Sequence, residues 1–327
     1  MADNEQNQPA IARDQRAGTT LPRSGTFAAC MIDRTHSPNS GNELTDEQFW
    51  NEKYRATRER RDQAGLLHKA VRAAVRAAVG DEYLAYGREY SAYLYKTILY
   101  GKHLHGAQGA KLLEVGSAPG DHLAFINKTY GLDVYGVEYA QDGVDINRQT
   151  FVQNGLDPDH VIFADFFSPE FQTRYGQFFD FVLSRGFIEH FDDPADVIGK
   201  HLSLLKPGGT LIVTVPNFIG AVYPLQYVLY RDLLDRHNLN LMREDAFART
   251  FARPDLTQIY CGYYGGFTLG LIEVEPDARV KGKMLGALRK LQIPLNAAMR
   301  LTFGDRGIRN RLFTSHLLYV GEKTPGQ

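Results

Sequence analysis

Apolar positions are spread unevenly along this chain. Residues 1 to about 43 are polar, broken by Pro and Gly, and without sustained periodicity, which predicts a flexible tail. The pattern then turns helical: LTDEQFWNEKY offers Thr45 as N-cap with Glu47 and Gln48 in the first turn, and the charged RATRERRDQ and Ala-rich HKAVRAAVRAAVG carry helix to about Tyr100. From Lys111 short apolar runs alternate with helix-length segments: KLLEVG, DVYGVEYA, HVIFADFF, FDFVLSRG, GTLIVTVPN, then FTLGLIEVEP and HLLYVGEK. Such runs mark strands buried on both faces, and their alternation with helices predicts an α/β domain with a doubly wound, mostly parallel sheet over residues 105–323. Residues 220–262, rich in Tyr, Arg and Asp, are too many for a simple connection, so an insertion after strand 5 is expected to shape a substrate site.

Charge narrows the partners. Across 327 residues, 37 Lys and Arg nearly balance 38 Asp and Glu, which gives no global electrostatic case for nucleic acid. One local exception stands out: residues 279–311 carry many basic side chains and only Asp305 as an acid, and KMLGALRKL within them is amphipathic. That segment is either a solvated basic helix or a contact for a phosphate-bearing substrate, a peripheral membrane surface or a partner. Cys30 and Cys261 form no CxxC pair, which fits a reducing cytoplasm without disulfide framework or zinc. No apolar run approaches the roughly 20 residues of a membrane span, and no signal-type segment opens the chain, so a cytoplasmic monomer or homodimer is expected.

The chemistry starts at KLLEVGSAPGDHL. In a doubly wound sheet, the turn after the first strand lets backbone amides approach a ligand beyond the strand ends. The dinucleotide pattern G-x-G-x-x-G is not met, since Ser117 and Ala118 follow Gly116, and Asp121 stands where the last glycine would fall after Gly120. Glu114 and Asp121 would repel a pyrophosphate and suit a ligand with a positive amino group or sulfonium.

These residues resemble the first motif, E/D-x-G-x-G-x-G, of class I S-adenosylmethionine-dependent methyltransferases; the chain reads Glu114-Val115-Gly116-Ser117-Ala118-Pro119-Gly120, with Ala118 for the middle glycine. Four further segments follow in the family's order. The resemblance implies a Rossmann-like, seven-stranded sheet with an antiparallel last strand, and S-adenosylmethionine as cofactor, leaving as S-adenosylhomocysteine. It implies that Glu138, ending VYGVEYA beside Tyr139, accepts ribose hydroxyls. Asp165 and Phe166, ending HVIFADFF, would bind the adenine amine and ring, with Phe166 and Phe167 equally suited to a core; Ser184 and Arg185, leaving FDFVLSRG, would lie beneath the cofactor. LLKPGGTLIVTVPN reads as scaffold. The resemblance covers residues 105–220 and the closing strands, and leaves out the tail, the N-terminal helical extension over 44–104 and most of the insertion.

Methyl transfer is an in-line displacement that needs alignment in a dry site, and a base only where the acceptor carries a proton at neutral pH. Glu189 and His190 in GFIEHF face the substrate edge, and His237, beside Asn238 in the insertion, is the third catalytic candidate; each histidine could instead serve packing. Quinone-precursor O-methylating enzymes hold a metal with a related E-x-x-E-H, but Gly186 stands at the first glutamate's position here, so no metal is expected. Tyr83, Tyr86, Tyr90 and Tyr93 share a helix face that is either a packing stripe or, with Trp50 and Tyr54, a lid over the acceptor; Tyr263 and Tyr264 could form the opposite wall.

The chain thus reads as a methyltransferase acting on an oxygen or nitrogen of a small molecule or saccharide, and GFIEHF followed by PGG, VPN and an HN-containing insertion resembles bacterial biosynthetic and surface-glycan enzymes. An RNA 2'-O-methyltransferase is the first alternative, because GSAPG resembles that group's GxAPG turn, although the core lacks the Lys and Arg a nucleic-acid groove requires. A cofactor-binding partner or sensor domain without turnover is the second.

Overall fold

The computed structural model describes residues 43–62, 89–275 and 278–325, with positions 70, 74 and 77. The expected tail, Cys30, Tyr83 and Tyr86 lie outside the described residues. Helix α1, Glu47–Asp62, is capped by Asp46, whose carboxylate accepts the Phe49 amide at 2.8 Å. The expected cap, Thr45, instead accepts a hydrogen bond from the Trp50 indole at 3.1 Å, so its hydroxyl is already engaged. Helix α2 runs through Tyr90–Tyr93, a π-helical turn Leu94–Leu99, and Tyr100–Leu104.

The sheet domain then alternates β1 Lys111–Val115, α3 Asp121–Tyr130, β2 Asp133–Glu138, α4 Gln141–Gln153, β3 Val161–Phe163, α5 Pro169–Arg174, β4 Phe179–Arg185, α6 Pro194–Leu204 and β5 Leu205–Pro216. Short helices α7 Tyr223–Leu229, α8 Arg231–Asp235 and α9 Glu244–Thr250 precede β6 Leu256–Tyr264; α10 Arg279–Lys290, α11 Gln292–Phe303 and β7 His316–Lys323 close the domain. Spatial order is β3-β2-β1-β4-β5-β7-β6, with β7 antiparallel to both of its neighbours, as the seven-stranded doubly wound expectation requires.

Both faces of the sheet are dry. Successive β1 residues alternate between them: Leu112 packs with Leu94, Leu123 and Val144 from the helices α2, α3 and α4, whereas Leu113 and Val115 join Val197, Ile198 and Leu202 from α6. Such alternation inside a continuous apolar run is what double coverage demands.

One strand lies elsewhere than the pattern suggested. FTLGLIEVEP is not a strand; β6 is the preceding LTQIYCGYY, which the sequence pattern had placed in the insertion and one cavity wall. The backbone of 267–273 is satisfied by side chains instead: Gln292 donates to the Phe267 carbonyl and accepts from the Leu269 amide, both at 2.9 Å, and Gln226 accepts from the Glu273 amide at 2.9 Å. With its polar groups already paired, this run is free to form a wall rather than a ladder.

Candidate active site

The carboxyl ends of the parallel strands and the start of β7 enclose a cavity of about 420 Å³, within the usual range of small-molecule sites. Its floor is the turn after β1. Gly116 has φ +66° and leaves only 3.2 Å between a would-be Cβ and the Phe187 ring, so a side chain there would be strained and would fill the crevice. Gly120, φ +86°, lies one layer out, where a Cβ would come within 2.2 Å of Asn147 Oδ1.

Glu138 is the most heavily supported acid in the cavity. Its Oε1 accepts the amides of Tyr139 and Ala140 at 3.0 and 3.1 Å; Oε2 takes longer bonds from the Tyr54 hydroxyl and the Ala118 amide at 3.3 and 3.5 Å. Burial outweighs these donors and raises its pKa to about 7. Beside it, Asp165 accepts the Phe167 amide at 2.8 Å, and buried Phe166 packs edge-on to Phe187 at 5.6 Å while lining the cavity.

Helix α1 covers the opening. Tyr54 stacks on Trp50 at 5.8 Å, and Trp50 sets its edge on His190 at 5.2 Å. Arg55 and Arg58 pair with Asp142 at 3.0 and 2.9 Å, Lys53 with Glu273 at 3.2 Å, and Arg61 with Asp121. Just before α1, the Leu44 amide donates to the His190 carbonyl at 2.8 Å, which ties the cover to the turn carrying Glu189 and His190.

The three catalytic candidates converge. Ligand-type atoms of Glu189, His190 and His237 lie within 4.8 Å of one another, and all three residues line the cavity. The third group thus comes from the insertion rather than from Gly186. His190 Nδ1 lies 2.9 Å from the Arg236 carbonyl and His237 Nδ1 2.6 Å from that of Leu233. A carbonyl can only accept, so each Nδ1 carries the proton and each Nε2 keeps its lone pair. Glu189 is buried, and its Oε2 has no hydrogen-bond partner. Burial raises Glu189 to about 8, holds His190 well below the ordinary imidazole range and lowers His237 to about 4.

Of the cofactor candidates, Gly116, Glu138, Tyr139, Asp165, Phe166 and Arg185 line the cavity, whereas Glu114, Ser117, Gly120, Asp121 and Ser184 do not. The acids expected to face a positive ligand turn elsewhere: Glu114 accepts from Arg185 Nε at 2.7 Å through Oε1 while its Oε2 is buried without a partner, and Asp121 turns to Arg61. Ser117 accepts from Asn147 at 2.6 Å, and Ser184 is fully buried.

The described tyrosine candidates, Tyr90, Tyr93, Tyr263 and Tyr264, are engaged outside the cavity. Tyr90 and Tyr93 donate to the Gly304 carbonyl and Asp305 at 2.5 Å each, and Arg300 lies over the Tyr93 ring, because α11 and the turn after it cover this stripe. Tyr263 donates to the Met242 carbonyl at 3.1 Å and Tyr264 to that of Leu94 at 3.2 Å, outside the cavity. Asn238 caps the Leu241 amide and donates to the Phe191 carbonyl, so it braces the Glu189–His190 turn without lining the cavity. Sequence inspection missed Lys53, Phe218, Leu271, Glu273 and His316 in the lining. His316 was findable: the first residue of an antiparallel strand sits at the same edge as the last residues of the parallel ones.

Buried titratable groups set a pH profile for stability. His122, His190, His201, His237 and His316 are all depressed by burial, so their contribution is intact above about pH 6.5 and lost as pH falls toward 4. Glu138 and Glu189 are raised, so theirs is full below about pH 4.5 and lost as pH rises to about 7 and 8. His103 is depressed in the same way and Glu89 and Glu114 are raised like the other two acids, so the imidazoles outnumber the raised carboxyls on the acid side, and from pH 6.5 to 8 the carboxyls set the slope. The melting temperature of the free protein should therefore peak near pH 6.5, and Glu189→Gln should flatten the alkaline limb, recovering on the order of 2 kcal/mol at pH 9. Thermal melts from pH 4 to 9 check this; a wild-type limb that keeps rising past pH 8 would place Glu189 in a solvated, ionised setting.

Residues 86–260 match the family described as methyltransferase domain. Relatives include the ubiquinone biosynthesis O-methyltransferase of Aromatoleum aromaticum, 25% identical over 173 residues that cover 51% of this chain and 68% of that protein. The protein of the same name from Saccharophagus degradans is 27% identical over 124 residues, 36% of this chain and 51% of that one. The chain spans about half the length of most of the curated relatives it matches. Among solved structures, geranyl diphosphate C-methyltransferase from Streptomyces coelicolor A3(2), in complex with Mg2+, geranyl diphosphate and S-adenosyl-L-homocysteine, is 15% identical with TM-score 0.45, covering 69% of this chain and 77% of that chain. The cavity fits a nucleoside cofactor on its own terms: an open glycine cradle at Gly116, a carboxylate held by only two long bonds at Glu138 Oε2, and aromatic walls. With more than half its length matched, the chain belongs to the methyltransferase domain family, and its sheet order is that of the class I S-adenosylmethionine-dependent methyltransferase fold.

Proposed function

We propose that the enzyme methylates a hydroxyl oxygen of a small molecule, with His190 as general base. The observation that carries this is the pair of neutral imidazoles at the cavity wall, each with Nδ1 tied to a carbonyl and Nε2 left as acceptor. A base whose pKa is held low takes a proton more readily from a phenolic or enolic hydroxyl than from an alkyl or sugar alcohol. Phenol-type acceptors are therefore favoured over saccharides, in keeping with relatives named ubiquinone biosynthesis O-methyltransferases.

When bound, S-adenosylmethionine supplies an electrophilic methyl group. Glu138 would accept its ribose hydroxyls, the Gly116 turn would let backbone approach it, and Asp165 and Phe166 would serve the adenine amine and ring. Arg185, its charge balanced by Glu114, would offer its remaining N–H groups to the cofactor's carboxylate. Helix α1, with Trp50 and Tyr54, acts as the lid of the N-terminal extension and excludes water; the insertion supplies His237 and Phe218 to the acceptor wall. His190 takes the acceptor's proton at Nε2.

An acceptor screen tests this. Purified enzyme with S-adenosylmethionine and panels of phenols, amines, nucleotide sugars and RNA should form S-adenosylhomocysteine with phenols. Turnover on amines or RNA alone would overturn the oxygen-acceptor assignment, and cofactor binding without turnover on any panel would favour the sensor alternative. Activity abolished by a chelator and restored by a divalent cation would remove the base role from His190.

A further inference from the structure

Helices α10 and α11 present an outer surface that no described part of the protein covers. Along α10 and its junction with α11, Val280, Met284, Leu288, Leu291 and Leu295 follow one another at steps of three and four residues, all exposed, with Val280 at 73% and Leu291 at 63%. On α11 the side facing the protein is Gln292, Asn296 and Met299, and the outward side adds Ile293 and Leu301, the latter 89% exposed. Polar residues pointing in and leucines pointing out invert the usual amphipathic rule, and an apolar face of this kind marks an interaction site. Residues 279–303 also carry six basic residues, Arg279, Lys281, Lys283, Arg289, Lys290 and Arg300, and no acid. Arg279, Lys283 and Lys290 are exposed beside the apolar stripe.

The combination selects the occupant. A second copy laid face to face would oppose cation to cation, as a two-fold contact places like surfaces together. Nucleic acid would use the cations and leave the leucines in water. An anionic bilayer satisfies both, with apolar side chains entering the acyl boundary and lysines meeting phosphates. We propose that α10 and α11 form a docking surface for an anionic phospholipid bilayer. The surface is coupled to the cavity: Arg289 donates to the Leu269 and Ile272 carbonyls at 3.3 and 2.6 Å, and Gln292 holds the Phe267 carbonyl, so the two helices anchor the loop that gives Gly270, Leu271 and Glu273 to the cavity wall. Docking would bring that wall to the membrane, whatever acceptor the site takes. No helix among the described residues is long and apolar enough to cross a membrane, so attachment through this surface would be peripheral.

Co-sedimentation of the full chain with vesicles tests the surface. Binding is expected to vesicles of phosphatidylcholine with phosphatidylglycerol, and to fall about tenfold or more on phosphatidylcholine alone or in high salt. Lys283→Glu with Lys290→Glu should reduce it at least about tenfold, and Val280→Ser with Leu301→Ser by about tenfold, while the affinity for S-adenosylmethionine and the melting temperature stay at wild-type values. Equal binding to neutral vesicles, or none to anionic ones, would overturn the proposal. So would a wild-type dimer in sedimentation velocity that Val280→Ser with Leu301→Ser dissociates, since the face would then belong to a second copy.

Discussion

Replacing Glu138 by alanine is expected to weaken S-adenosylmethionine binding by about ten- to a hundredfold, the loss of charge-assisted hydrogen bonds from a buried acceptor. The ionised form is needed for this role, and burial has raised its pKa to about 7, so wild-type affinity should itself depend on pH. Below that value each pH unit adds a protonation cost, and the dissociation constant should rise toward tenfold per unit; above it the affinity should level. Glu138→Gln removes the titration and should give a flat, weaker profile over the same range. Isothermal titration at pH 6, 7 and 8 with the three proteins decides the matter. Because Glu138 also receives the Tyr54 hydroxyl, a melting curve of each variant is required alongside. An unchanged dissociation constant for Glu138→Ala, with the protein folded, would take Glu138 out of the cofactor site.

What the amino-acid pattern could and could not disclose follows from how far apart the interacting residues lie. Gly116 and Glu138 were legible because the glycine cradle and the acid occupy a turn and a strand end in neighbouring elements, with spacing set by one strand and one helix. The sheet was legible because double coverage writes continuous apolar runs. β6 was not, because an edge strand pairs on one side only and carries Thr257, Gln258 and Ile259 outward, whereas the apolar FTLGLIEV packs on the core through Phe267, Leu269, Ile272 and Val274 while giving Leu271 to the cavity wall. The tyrosine stripe was open between a packing face and a lid because its periodicity reveals a face and not what covers that face; for Tyr90 and Tyr93 it is α11 and the turn after it, some two hundred residues on. Glu114 and Asp121 misled in the same way. Their partners, Arg185 and Arg61, arrive from β4 and α1, and neutralise acids that local sequence left unbalanced. The convergence of His237 on Glu189 and His190 rests on the insertion folding back, where the Asn238 amide donates to the Glu189 carbonyl at 2.7 Å.

His190→Ala should lower turnover on the physiological acceptor by about a hundredfold, the ordinary worth of a positioned base, with little change in cofactor affinity. The ring is tied through Nδ1 to the Arg236 carbonyl and packed between Trp50 and His237, so its removal also leaves a gap and an unpaired carbonyl. Kinetics alone would not separate these effects from lost proton transfer. Two readouts do. Free imidazole can enter the vacated space and accept a proton, so added imidazole should restore part of the rate if His190 is a base and none if it only packs. At saturating S-adenosylmethionine the wild-type rate should hold constant from pH 8 down to well below the ordinary imidazole value, since burial keeps the ring unprotonated there, and fall only in more acid solution. In the His190→Ala variant that acid limb should disappear. A loss of less than about fivefold without rescue by imidazole would assign His190 to packing, and leave His237, whose Nε2 is free by the same carbonyl logic, as the group to test next.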